Sequence, residues 1–456
     1  MTSAFPPPRC PAHNGRAQLY TPEFAADPAA VYARLREQHG SIAPVELAPG
    51  VPANLVISYA AALEVLREPS TFPRDPRRWE QSQPPDNPVL PMMGYRPNYL
   101  YTDGAVHARL RGAVTSSLGR VNPHLLRGYV EHLARGLIGK FAHLGSADLL
   151  GAYATSVALE VFNHLFGCPP GLGERLLAGV RGLFDLDDPE RANREMGQAM
   201  AELIALKRRE PGPDLPSWMM AHPSRLTDEE LLHQMIPMLG AGTELEQNLI
   251  ANGVRLLLSD DRFAGDLAGG SMPVEEAIDE ILWTDPPMAN FSATYPVADL
   301  DLFGTRLPAD QPLLISFAAA NTDPALEGSH RAGNRAHLAW SAGPHTCPAQ
   351  VPARVIASAA IETLLDVLPD LRLAVPAGQL VWRQGPFHRA LTALPVTFTP
   401  VTVPTSAVPP ARVPDEGRWA APSVSSAGIS TAQTTGTARP SPRRWRNFLT
   451  GWWRGK

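Results

Sequence analysis

HLAWSAGPHTCPAQVPAR, His337 to Arg354, holds one of the three cysteines in a chain of 456 residues. Cys347 follows a run of small residues and stands two positions after His345. It precedes an apolar pattern, Val351, Val355, Ile356, Ala359, Ala360 and Leu364, that predicts the buried face of a helix over Pro348 to Leu368. Pro348 suits a first helical position, which puts the sulfur near a helix N-terminus, where free N–H groups and the macrodipole favour a thiolate. Gly343 lets the preceding loop bend tightly. Structural zinc does not fit, because one residue separates His345 from Cys347 and no second Cys/His pair has the required spacing. An ordinary buried cysteine is the other reading, and this stretch alone leaves both open.

Composition narrows the classes. The chain is 44% hydrophobic and 7% aromatic, enough to bury a large core, and its net charge of −5 argues against bulk nucleic-acid binding. Cys10, Cys168 and Cys347 are far apart, so no disulfide framework is expected and a reducing cytoplasm fits. Prolines interrupt MTSAFPPPRC where a secretory signal needs an apolar run, and no stretch approaches 18 consecutive apolar residues.

Helical patterns dominate: Asp27 to Gln38, Ala60 to Arg67, Ala105 to Leu118, Leu125 to Leu144, Glu190 to Arg209, Thr227 to Ser259 and Val274 to Trp283 join the one after Cys347. Strand-like segments are fewer: PVELAPGVPANLVISY, Asp299 to Phe303, Pro312 to Ser316 and Ala393 to Val403. The expected fold is mainly α with a minor β part, without βαβ rhythm or internal repeats. The longest helix starts at a Thr227/Glu230 capping box and would span about 50 Å. Its middle, PMLGAGTELE, is weakened by Pro237, Gly240 and Gly242, which suits either close approach of a ligand or helix packing through small residues.

Trp340-Ser-Ala-Gly343-Pro-His345-Thr-Cys347 resembles the haem-ligand loop of the cytochrome P450 superfamily, Phe-Gly-x-Gly-x-His/Arg-x-Cys. Further segments match in family order over roughly residues 17 to 400: LYTPEFAADPAAVYARLREQHG, DGAVHARLR, RREPGPDLPSWMM and AANTDP. The resemblance implies a long central helix over haem b and small sheets near the chain ends. Cys347 becomes the axial thiolate, and His107, Arg111 and His345 hold propionates, the alternative for these three being solvated surface charges. Trp340 and Ser341 would lie beneath the ring, and Gly343 and Ala241 would also contact the cofactor. Ferredoxin and ferredoxin reductase would supply electrons to oxidise a small apolar substrate in the cytoplasm, and no nucleic-acid partner is implied. Substrate-recognising segments are expected at Phe72 to Leu100 and around Phe166 to Asp188.

Departures from the family pattern carry chemistry. The Glu-x-x-Arg pair appears as Glu280 and Trp283, so Glu280 must rely on Arg331, at the meander-arginine position, or on another donor. A small actinobacterial subgroup shares this Glu-x-x-Trp variation and a similar GPHTCPAQ. In the central helix Leu245 replaces the threonine whose hydroxyl helps deliver protons for O–O cleavage. Glu244 is then the expected proton relay, with core pairing as its alternative role. Thr243 lies about 200° away and can contribute only if the turn is distorted. Ser341, Ala349 and Pro352 depart from the family pattern, and FSATYPVADLD offers only Thr294 or Tyr295 in place of a propionate-binding arginine.

The ends are separate. Residues 1–16 form an extension. Residues 401–438, rich in Pro, Ser, Thr and Ala, read as a disordered linker. Residues 439–456 carry six basic residues and no acid, with Trp445, Phe448, Leu449, Trp452 and Trp453 on one helical face. This predicts a peripheral membrane or protein-docking tail, the alternative being a disordered basic segment. Two functions follow: a haem-thiolate monooxygenase, or a haem protein with reduced or lost oxygenase activity acting as a regulatory or membrane-docked component.

Overall fold

The computed structural model describes residues 15–185, 187–260, 274–326 and 333–403. The linker from 404 onward, the tail 439–456 and Arg331 therefore lie outside the described residues. Strands, in chain order, are β1 (Ala17–Gln18), β2 (Ile42–Ala48), β3 (Val51–Val56), β4 (Ser146–Asp148), β5 (Asn290–Thr294), β6 (Leu300–Leu302), β7 (Thr305–Leu307), β8 (Leu313–Ser316), β9 (Arg372–Leu373) and β10 (Pro395–Thr397). They pair as a five-stranded sheet β1-β2-β3-β8-β5, a three-stranded sheet β4-β10-β9 and the hairpin β6-β7. Helices make up most of the remainder, as the periodicity predicts. Among the differences are β5, which overlaps FSATYPVADLD, the helix Thr155–Phe166, which the periodicity did not mark, and the helix Pro170–Asp185, which lies in the variable segment expected around Phe166 to Asp188. Tertiary packing decides these, since Phe162, Phe166, Val180 and Leu183 all enter the helical core.

Five helices build the site: α1 (Gly104–Leu118), α2 (Asp228–Gly240), α3 (Glu246–Ser259), α4 (Val274–Thr284) and α5 (Gln350–Val367). The predicted capping box starts α2: Thr227 Oγ1 accepts the Glu230 N–H at 3.1 Å, and Glu230 Oε2 accepts the Thr227 N–H at 3.0 Å. Arg109 of α1 ion-pairs with Glu230, fixing α1 to the start of the long helix. Between α2 and α3 the weak middle becomes a π-turn, Ala241–Leu245, so the two helices continue one another through a widened turn.

The region behind the Cys347 loop is locked by a carboxylate one position away from the expected one. Asp279 of α4, 5% exposed, receives Arg354 of α5 and, at 3.1 Å, Nε of Arg335; Glu275 also pairs with Arg354. Trp283 does what its chemistry allows. It is buried, donates Nε1–H to the Asn334 carbonyl at 2.8 Å and meets the His337 ring edge-on at 5.7 Å. Glu280 lies beside it on α4.

Removing one partner of a buried ion pair strands the other. Asp279→Ala is expected to lower stability by about 3 kcal/mol in urea unfolding, while the double substitution Asp279→Leu/Arg354→Met costs clearly less. His233 on α2 is 3% exposed, and burial, with a smaller push from Arg96, lowers its pKa to about 3. The unfolded chain takes up this proton near pH 6.5 while the folded chain does not, so stability falls as pH drops from 6.5 toward 3. The His233→Gln variant should show an acid limb shallower by about 1.4 kcal/mol per pH unit, read from unfolding midpoints between those limits.

Candidate functional site

The Cys347 loop is closed on itself. The Cys347 N–H donates to the Trp340 carbonyl at 2.7 Å, and Thr346 Oγ1 donates to the Gly343 carbonyl at 2.7 Å. Gly343 has φ +67°, and a Cβ there would stand 2.3 Å from the Leu66 carbonyl oxygen, so only glycine fits. Ser341 also has positive φ, 61°, which costs a residue with a side chain about 1 kcal/mol. The helix begins two residues later than the sequence implies, and Val351, expected on its buried face, is 60% exposed because it lies in the first turn, ahead of the residues that pack into the core from Ile356 onward. Ala349 is the N-cap of α5, Pro348 precedes it, and Pro352 occupies the first turn, where its missing N–H disrupts no bond.

The positive environment reaching the sulfur is correspondingly modest. The Ala349 N–H points to Sγ at 3.4 Å. Burial pushes the thiol up to about 11, only partly opposed by that N–H and by Arg111. Cys347 forms part of the wall of a cavity of about 320 Å³. Trp340, Ala241 and Gly242 share this wall with Phe162, Leu183, Met238, Leu245, Leu249 and Ile356. The segments expected to meet substrate contribute Met92, Tyr99 and Leu100 on one side and Phe166, Val180 and Phe184 on the other. Among the described residues no group of three or more His, Cys, Asp or Glu is arranged to hold a metal ion.

A polar cluster borders the loop. His107 and Arg111 are one turn apart on α1; Arg111 Nη2 donates to the Thr346 carbonyl, and the His107 ring lies 4.2 Å from that of His345. His345 Nε2 is 3.0 Å from Asp103 Oδ1, and Asp103 Oδ2 accepts the Arg74 N–H at 2.7 Å. Burial, then the neighbouring His345 and Arg111, lowers the His107 pKa to about 4. Burial also lowers that of His345, although Asp103 opposes it. His107 Nε2, Arg111 Nη1 and His345 Nδ1 are all buried without a hydrogen-bond partner. Three nitrogens in one corner thus lack an acceptor, a cost that an incoming anion would remove. Of the substitutes considered for a further propionate contact, Thr294 Oγ1 is spent on the Leu313 carbonyl at 3.2 Å, and Tyr295 is buried against Trp79.

On the long helix the expected proton carriers face away from the cavity. Glu244 is fully buried, ion-paired with Arg383, and accepts from Gln247 at 2.8 Å and Asn248 at 3.2 Å. Thr243 Oγ1 donates to the Leu239 carbonyl at 2.8 Å, so the π-turn does not swing it into place. Glu246 is the residue that sequence reasoning passed over. It lines the cavity beside Leu245, is 4% exposed, and its Oε1 has no partner. The signal was present in TELE, where a second acid follows the first by two positions and must face the opposite side of a helix.

No protein-family model matches the chain. Individual relatives do. It is 34% identical over 390 residues to the cytochrome P450 monooxygenase PikC of Streptomyces venezuelae, a match covering 82% of this chain and 92% of that protein. It is 29% identical over 398 residues to the vitamin D(3) 25-hydroxylase of Pseudonocardia autotrophica, covering 84% and 96%. Among solved structures, CYP154C4 from Streptomyces sp. W2061 superposes with a TM-score of 0.77 at 28% identity, covering 84% of this chain and 97% of that one. These names describe oxygenating enzymes and lend nothing to a regulatory or docking role. With a relative 34% identical over 82% of its length, the chain belongs to the cytochrome P450 superfamily of haem-thiolate monooxygenases.

Proposed function

We propose that Cys347 would supply the thiolate that holds haem b and that His107, Arg111 and His345 would bind its propionates, within a catalytic domain spanning residues 17–400. The observation that carries this reading is the pairing of a cavity-lining thiol with three buried nitrogens that lack acceptors next to it. A dianionic, mostly apolar ring suits that donor set and wall: carboxylates would satisfy the nitrogens, and the apolar side chains would take the ring. When bound, haem supplies a redox-active iron whose thiolate ligation favours O–O cleavage.

The remaining residues hold and shape. Gly343 and the Trp340 carbonyl fix the sulfur, Trp340 and Ala241 form opposite parts of the cavity wall, and Glu244 with Arg383 anchors the π-turn from behind. Thr243 serves the helix rather than the substrate. The apolar wall selects a small apolar substrate and excludes bulk water. Ferredoxin and ferredoxin reductase in the cytoplasm supply the electrons, as the resemblance to bacterial members implies. Among the described residues no helix is long and apolar enough to cross a membrane.

Cys347→Ala is expected to abolish the thiolate-type Soret band of the reduced, carbon monoxide-bound protein; an unaltered band would end the proposal. Arg111→Ala and His107→Ala should each release haem to an acceptor globin roughly tenfold faster, because each loses a charge-assisted hydrogen bond while the sulfur ligand remains. Transfer rates equal to the parent protein would remove these two residues from the propionate site.

A further inference from the structure

Six residues of the long helix, Met238, Ala241, Gly242, Leu245, Glu246 and Leu249, form a continuous stripe of the cavity wall. Five of them bring no ionisable or donating side chain. Glu246 is 4% exposed, and its Oε1 is buried without a hydrogen-bond partner.

An ionised carboxylate in that position is expensive, because it has given up water and gained no cation. Burial alone pushes the Glu246 carboxyl well above the ordinary carboxylate range, with no neighbouring charge holding it down. Glu244, two residues earlier, shows the contrast. It is buried just as deeply but has Arg383, Gln247 and Asn248 as partners.

Monooxygenation consumes protons: O2 + RH + 2 e− + 2 H+ gives ROH + H2O. The O–O bond breaks, one oxygen enters the substrate's C–H bond, and the other leaves as water carrying both added protons. The redox partner supplies the electrons. The protons must come through the cavity wall, where Leu245 offers no hydroxyl, Thr243 is bonded to its own helix and Glu244 is turned away.

We propose that Glu246, buried in the cavity wall without a partner, is the catalytic proton donor for oxygen activation in this protein. It gives up its carboxyl proton, regains one from bulk water and gives that up in turn, so that both protons of the reaction pass through it in each turnover. The proposal rests on the haem-thiolate reading with Cys347 as ligand.

Glu246→Gln keeps size and polarity and removes the acid. The infrared difference between haem-loaded parent protein and this variant at neutral pH should contain the carbonyl stretch of a protonated carboxylic acid that shifts in D2O; a carboxylate signal there overturns the proposal. The reaction of the ferric, haem-loaded variant with hydrogen peroxide, followed at the Soret band by stopped flow, should slow roughly tenfold to a hundredfold. Introducing Leu245→Thr into the Glu246→Gln background should restore much of that rate. A peroxide rate equal to the parent in Glu246→Gln sinks the idea even if the variant folds perfectly. Cys347→Ala measured in the same series separates the two readings: failure of the ligand assignment leaves its carbon monoxide spectrum unaltered, whereas failure of the Glu246 proposal leaves that spectrum dependent on Cys347.

Discussion

The structure depends on how tightly one backbone loop holds one sulfur. The Cys347 N–H closes onto the Trp340 carbonyl at 2.7 Å, and Gly343 lies so close to the Leu66 carbonyl that no side chain can replace its hydrogen. These contacts fix Sγ at the cavity wall before any ligand arrives. A free thiol at that spot keeps its proton, since burial outweighs the help of the Ala349 N–H and Arg111.

Holding the loop requires holding what lies behind it. Arg354 of α5 is 11% exposed in its side chain and grips Asp279 and Glu275 of α4, so the two helices flanking the loop cannot slide independently. The tryptophan at position 283 supplies volume and a single N–H to Asn334, a role that needs no charge. The substitution therefore leaves the neighbourhood locked, because the electrostatic work falls to residues on either side of it: Asp279 in sequence before Glu280, and Arg354 on the helix that begins just after the cysteine.

Much of this was legible in the residues. Thr227 with Glu230 marked the start of the long helix, the Val351 to Leu364 pattern marked α5 to within two residues, and PVELAPGVPANLVISY became the β2-β3 pair. His107, Arg111 and His345 were singled out by the resemblance of DGAVHARLR and the Cys347 loop to family segments, and the fold brings all three beside that loop. What escaped were relations between distant segments. Asp279 meeting Arg354 spans 75 positions, and no local pattern announces it. The helix Pro170–Asp185 carries four glycines between Gly171 and Gly182 that weaken its propensity; Gly179 and Gly182 are there because Met196 and Ala192 of the next helix press against them. Propensity yields to packing in such cases.

The two acids of TELE show the same rule at finer scale. Sequence order made Glu244 the natural proton carrier, since it stands where the family keeps its acid. Geometry separates them, because residues two apart on a helix point to nearly opposite sides, and Glu246 lines the cavity with Gly242, Leu245 and Leu249 whereas Glu244 does not. Of two buried carboxyls, one is surrounded by Arg383, Gln247 and Asn248. The other lines the cavity with its Oε1 unpartnered, and burial pushes that carboxyl well above the ordinary carboxylate range.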